Sequence, residues 1–142
     1  MAMSTEQSYV PEPPVILQSR VKEKAEPKLK QLKKTIGAES YMFLTRDGIA
    51  MCHEVSEDTH VETAAIMYGT LYGGSITAQS ELRKKPTENI LIDAEDGPTL
   101  VTGIVDKYVL AVALGKNMSF TPEIRKEISK SVNDLSDIIQ NR

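Results

Sequence analysis

Apolar residues recur at Val21, Ala25, Leu29, Leu32 and Ile36, spacings of four, four, three and four that lay them on one helical face. Pro27 falls inside this stretch, so the helix either starts there, with proline in its first turn, or kinks there. Gly37 closes it, since glycine enters the left-handed conformation at little cost. Residues 41–44 and 49–55 then read as strands around Asp47-Gly48, a pair that tolerates positive φ and marks hairpins. The second strand alternates only loosely, as a half-covered edge does. Residues 59–85 carry the longest helical pattern. Thr59 and Glu62 have capping-box spacing, Arg83, Lys84 and Lys85 suit the negative end of the helix dipole, and Pro86 terminates. Val61, Ala64, Ala65, Met67, Tyr68, Leu71, Tyr72, Ile76, Ala78 and Leu82 share about half of its surface.

Three strands follow closely, at residues 89–92, 100–105 and 108–114, with turns at Asp96-Gly97 and Asp106-Lys107. The last is apolar on both faces, Val109, Ala111 and Ala113 against Leu110, Val112 and Leu114, so the sheet must be covered above and below. Connections this short force antiparallel neighbours. The final helix opens at Thr121 as N-cap with Pro122 behind it, and Ile124, Ile128, Val132, Leu135 and Ile139 form its buried stripe. The order is helix, two strands, helix, three strands, helix.

The 142 residues suit one domain, 20–142, preceded by an arm at 1–19 whose Pro11, Pro13 and Pro14 sit among polar residues without apolar periodicity. Charge is uneven: residues 20–34 hold seven cations against Glu23 and Glu26, although the chain carries −3 overall. An acidic body without Trp argues against nucleic acid as the main partner, and the basic helix reads first as a solvated face. No apolar run is long enough to span a membrane, so stable insertion is not expected. The N-terminus lacks a secretory pattern and a myristoylation glycine, and Cys52 is the sole cysteine, so a cytoplasmic protein is expected.

Candidate chemistry fails group by group. His60-Val61-Glu62 matches half of a zinc-deaminase signature, but the paired cysteines are missing. Cys52 and His53 are consecutive on a strand, so their side chains point to opposite faces. The glycines from Gly69 to Gly74 lack the lysine end of a phosphate loop. Asp93, Glu95 and Asp96 flank a turn and read as solvated. No catalytic group, metal site or cofactor is expected, and the protein does not read as an enzyme.

Gly69, Gly73 and Gly74 each cost about 1 kcal/mol in a helix interior. Either the helix breaks there, or the small residues Ala65, Gly69, Gly73 and Thr77, four apart, let a second copy of the helix approach closely. Ile90, Leu91 and Ile92 form an apolar strand that would template aggregation if left at an open edge.

This element order, with residues 36–50 (IGAESYMFLTRDGIA) and 88–97 (ENILIDAEDG), resembles the Roadblock family of dynein light chains and small-GTPase regulators, over about residues 29–139. The resemblance implies a three-layer α+β fold: a five-stranded antiparallel sheet, the middle helix on one face and the terminal helices on the other. It implies a homodimer, or a pairing with a Roadblock-like paralogue, through the middle helix and third strand, with Ala65, Gly69, Tyr72, Gly73, Ile76, Ile90, Leu91 and Ile92 at the interface. It further implies a non-catalytic regulator or adaptor of a Ras-like small GTPase, bound through the paired middle helices. Glu62, Ile66, Thr70 and Thr77, off the main apolar stripe, are the candidate contacts. The alternative is a scaffolding light chain with no effect on GTP hydrolysis. The family pattern does not account for the long proline-bearing arm.

Residues 1–14 cannot bury enough surface to offset their ordering entropy. Deleting them is expected to leave the thermal midpoint within a few degrees; a larger loss in a calorimetric scan would show that they pack on the domain.

Overall fold

The computed structural model describes residues 15–141. Helix α1 (Val15–Ile36) leads into β1 (Ser40–Thr45) and β2 (Ala50–Glu54), then α2 (Val61–Glu81), β3 (Asn89–Ile92), β4 (Thr99–Ile104), β5 (Tyr108–Ala113) and α3 (Pro122–Ile139). The strands form one antiparallel sheet in the order β2-β1-β5-β4-β3. Of the expected arm, residues 15–19 are helical and residues 1–14 lie outside the described residues.

The layers follow from the central strands. Phe43, Leu110 and Val112 point to one face with Tyr41, Leu100, Ile104 and Tyr108, beneath α1 and α3. Phe43 and Tyr108 stack there with ring centroids 5.2 Å apart. Met42, Leu44, Val101, Val109 and Ala111 point to the other face, under α2. A strand apolar on both sides thus has a helix layer on each.

α1 runs continuously through Pro27, so the helix does not start there. The proline is exposed, opposite the buried stripe Val21, Ala25, Leu29, Leu32 and Ile36, so the backbone group it disrupts faces water. Gly37 closes the helix at φ +69°, with the Ala38 amide donating to the Lys33 carbonyl at 3.0 Å. α1 and α3 are tied at two points, the Arg20 guanidinium donating to the Ile138 carbonyl at 2.7 Å and Lys28 meeting Asp134 at 3.7 Å.

The turns are more particular than the sequence pattern implied. Arg46, Asp47 and Gly48 form a three-residue hairpin loop, with only Gly48 at positive φ and the Thr45 hydroxyl accepting from the Ile49 amide at 3.0 Å. A bulge lets both Met51 and Cys52 enter the α1-side core, because Phe43 faces Cys52 while Leu44 faces Ala50. This is why β2 alternates loosely. Burial, then Glu26, pushes the Cys52 thiol up to about 12. The β4–β5 turn centres on Val105-Asp106, one residue earlier than expected, with both at positive φ.

α2 runs from Val61 to Glu81 without a break at its glycines. The Thr59–Glu62 capping box does not form: His60 is the N-cap, with no side-chain cap bond, and the Thr59 hydroxyl pairs with that of Ser56 at 2.9 Å. Arg83, Lys84 and Lys85 lie beyond the helix. Arg83 takes the left-handed conformation at φ 59°, and the Lys84 amide donates to the Gln79 carbonyl at 2.9 Å, a glycine-type closure made by arginine.

Gly103 sits beneath the ring of Tyr72, where a methyl group would collide with the phenol. Gly103→Ala is therefore expected to cost about 2–3 kcal/mol in urea unfolding, and adding Tyr72→Phe to recover part of the loss. Simple additivity of the two changes would refute the contact.

Candidate partner-binding surface

α2 is seated on the sheet by its smallest residues. A Cβ on Gly69 would come within 2.8 Å of the Arg46 carbonyl, and one on Gly48 within 2.8 Å of the Ile66 Cα, so helix and hairpin loop meet backbone to backbone. Ala65 is fully buried beside them. Tyr72, one turn on, lies over β4 and donates from its hydroxyl to the Thr87 carbonyl at 2.8 Å. Burial pushes its phenol up from the ordinary value, with Asp106 adding to the effect, and burial also raises Tyr68.

The expected ridge of small residues therefore divides. Ala65, Gly69 and Tyr72 are packed within the protomer, while a Cβ on Gly73 or Gly74 would meet nothing within 4 Å among the described residues beyond the adjoining helical backbone. Met67 (55% exposed), Leu71 (40%) and Leu82 (66%), expected in the buried half, point outward beside Gly74 and Ala78. Ile76 is half-buried over the sheet. The helix is thus apolar on its inner and outer faces alike, the pattern of a helix covered on both sides. Residues 63–80 contain no charged side chain, and this sequence signal marks the outer face.

Glu62, Ile66, Thr70 and Thr77 are all exposed and follow one flank of α2 at spacings of four, four and seven. Thr77 bonds back to the Gly73 carbonyl at 3.3 Å. Ile66, 51% exposed, abuts the hairpin loop next to exposed Ile49.

β3 is an edge strand. Ile90 and Ile92 are half-buried under α2, while Leu91 is 51% exposed on the opposite face. The Gly103 amide donates to the Glu88 carbonyl at 3.3 Å, so the alternation of an antiparallel ladder turns the backbone groups of Ile90 and Ile92 toward β4. Those of Asn89 and Leu91 then point outward. The other edge, β2, is blunted by its bulge and by His53 and Glu54.

The groups tested for chemistry stay apart. Cys52 is buried on the α1 side of the sheet and His53 is exposed on the other. His60, Glu62, Asp93, Glu95 and Asp96 are exposed, and no cluster of three metal-ligating side chains occurs among the described residues. A cavity of about 670 Å³ lies beside Tyr68, walled by Ala64, Ala111 and Ala113 and bordered by the charged Lys33, Glu39 and Glu54. No helix among the described residues is long and apolar enough to cross a membrane.

No protein-family model matches the chain, and no curated protein matches its sequence. Solved structures do match its fold. MglB of Myxococcus xanthus superimposes with a TM-score of 0.79 at 14% identity, covering 84% of this chain and 97% of that one. An MglB structure with tetrameric arrangement gives 0.75 at 13%, covering 85% and 91%. A Roadblock/LC7 domain from Streptomyces avermitilis gives 0.65 at 14%, covering 72% and 86%. At such identity the likeness carries the fold.

Because Met67 and Leu71 contribute little to the protomer core, Met67→Ser with Leu71→Ser is expected to change stability by less than about 0.5 kcal/mol, whereas Tyr72→Ala costs about 3 kcal/mol or more. Urea titration at a concentration that keeps the protein monomeric separates the two; equal losses would place the outer face inside the core.

Proposed function

We propose, with the Roadblock/LC7 fold as premise, that the chain is a dimeric, non-catalytic regulator or adaptor of a Ras-like small GTPase. The observation that carries the reading is the outer face of α2. Nothing among the described residues covers Met67, Leu71 and Leu82 or explains two adjacent helical glycines with open space above them. Two glycines cost the helix about 2 kcal/mol, which a closely approaching second helix would offset through packing. The outward backbone groups of Asn89 and Leu91 support the same partner, since pairing of β3 with its own copy joins two sheets into one. The tetrameric arrangement of one MglB structure supports self-association as a habit of this fold.

Such pairing sets both α2 helices on the same face of the joined sheet, giving a platform flanked by Glu62, Ile66, Thr70 and Thr77 from each copy. The GTPase would dock there, with Ile66 supplying apolar contact. This chain would tune or localise the GTPase cycle without lending a catalytic group.

Gly73→Leu is expected to weaken self-association at least about tenfold in sedimentation, equivalent to about 1.4 kcal/mol. Ile66→Asp should leave fold and self-association intact while reducing capture of a nucleotide-loaded small GTPase in calorimetry. A wild-type monomer at micromolar concentration would refute the dimer. A dimer that binds no GTPase, or leaves hydrolysis unchanged across a panel, would favour the scaffolding light chain.

A further inference from the structure

We propose that the exposed lysine ridge of α1 docks the protein on an anionic membrane surface. α1 carries seven cations against Glu23 and Glu26, while residues 37–121 carry twelve acidic side chains against six basic ones. The molecule is therefore strongly polarised, with its positive charge on one helix. Arg20 and Lys33 are engaged, with the Ile138 carbonyl and with Glu54 at 3.1 Å. Lys22, Lys24, Lys28, Lys30 and Lys34 are exposed along the outer surface and flanks, and Lys28 stays about half exposed despite its approach to Asp134.

Glu26 stands four residues from both Lys22 and Lys30 and balances that flank, but Lys24 beside Lys28 and Lys30 beside Lys34 are like-charge pairs at a spacing that destabilises an isolated helix, which an external anionic surface would relieve. The residue types select the partner. Recognition of nucleic acid or of protein carboxylates favours arginine, whose fork bonds bidentately, and protein interfaces are depleted in lysine. The free cations of the ridge are all lysine, with Glu23 exposed among them, and α1 has no aromatic residue for stacking on bases or inserting between lipids. Diffuse attraction to a negative headgroup layer needs only flexible point charges near its surface, and this ridge supplies them. It is peripheral attachment without insertion.

The surface lies on the sheet face opposite α2, so a GTPase held on the paired α2 helices leaves it free. The inference rests on the proposed dimer only for its valence, which two copies of the ridge would double.

The test is co-sedimentation of the full chain with phosphatidylcholine vesicles, with and without about 30% phosphatidylserine, at ionic strengths of about 0.05 M and about 0.5 M. The chain is expected to pellet with the anionic vesicles at low salt, to be released at high salt, and to ignore the neutral ones. Replacing Lys22, Lys24 and Lys30 together by Gln should lower partitioning at least about tenfold, with an unchanged thermal midpoint and self-association. Leu91→Pro, which removes an outward-facing amide, should weaken vesicle binding by loss of valence without abolishing it. No binding to anionic vesicles, equal binding to neutral ones, undiminished binding of the triple variant, or tighter binding to a DNA duplex at the same salt would each overturn the proposal. None of these outcomes depends on whether a GTPase binds, so the two readings fail separately.

Discussion

The fold answers to a single constraint: it has more apolar faces than its described residues cover. β5 and β1, at the middle of the sheet, have no polar side, and each face therefore demands a helical layer. α1 and α3 together close one face. α2 alone closes the other, and it brings a second apolar surface of its own. The deficit is moved outward, from the sheet to the back of α2 and to the last strand at the edge.

How closely α2 can approach the sheet is decided at two points where a side chain is missing. Gly69 rests on the hairpin loop beside Gly48, and Gly103 leaves room for the ring of Tyr72. Between them these contacts fix the helix in rotation about its axis, so that Ala65, Gly69 and Tyr72 turn inward and Met67 and Leu71 turn out. Rotation by about 100°, a single residue, would bury a different set and expose the glycine seat. The identity of the outward residues is thus a consequence of the inward fit.

Most of the architecture was legible because hydrophobic period and turn chemistry agree along the chain. The two-sided apolar run at 108–114 implied helices on both sides, and Thr121-Pro122 marked a helix start that the structure shows with its cap bond to the Ile124 amide. The failures have physical causes. The pattern of an amphipathic helix places Met67, Leu71 and Leu82 inward, whereas α2 is apolar nearly all round and its period does not tell inside from outside. Periodicity could not separate Gly69, pressed on the hairpin, from Gly73, which faces open space, since both lie on one line of small residues. Thr59 satisfied a capping pattern, but its hydroxyl is taken by Ser56. Val105 carries a branched side chain in a left-handed turn that sequence statistics assign to glycine and asparagine.

The open side of β3 has a consequence for partner choice. A strand edge offers the same ladder of donors and acceptors whatever side chains it bears, so its hydrogen bonds cannot distinguish a twin from a cousin of similar shape. In the proposed dimer, discrimination would fall to steric fit at the glycine step of α2, where one added methyl group on either partner would alter how near two backbones can come. A duplicated gene could diverge over most of this domain and remain able to pair with the original, provided that step stayed bare.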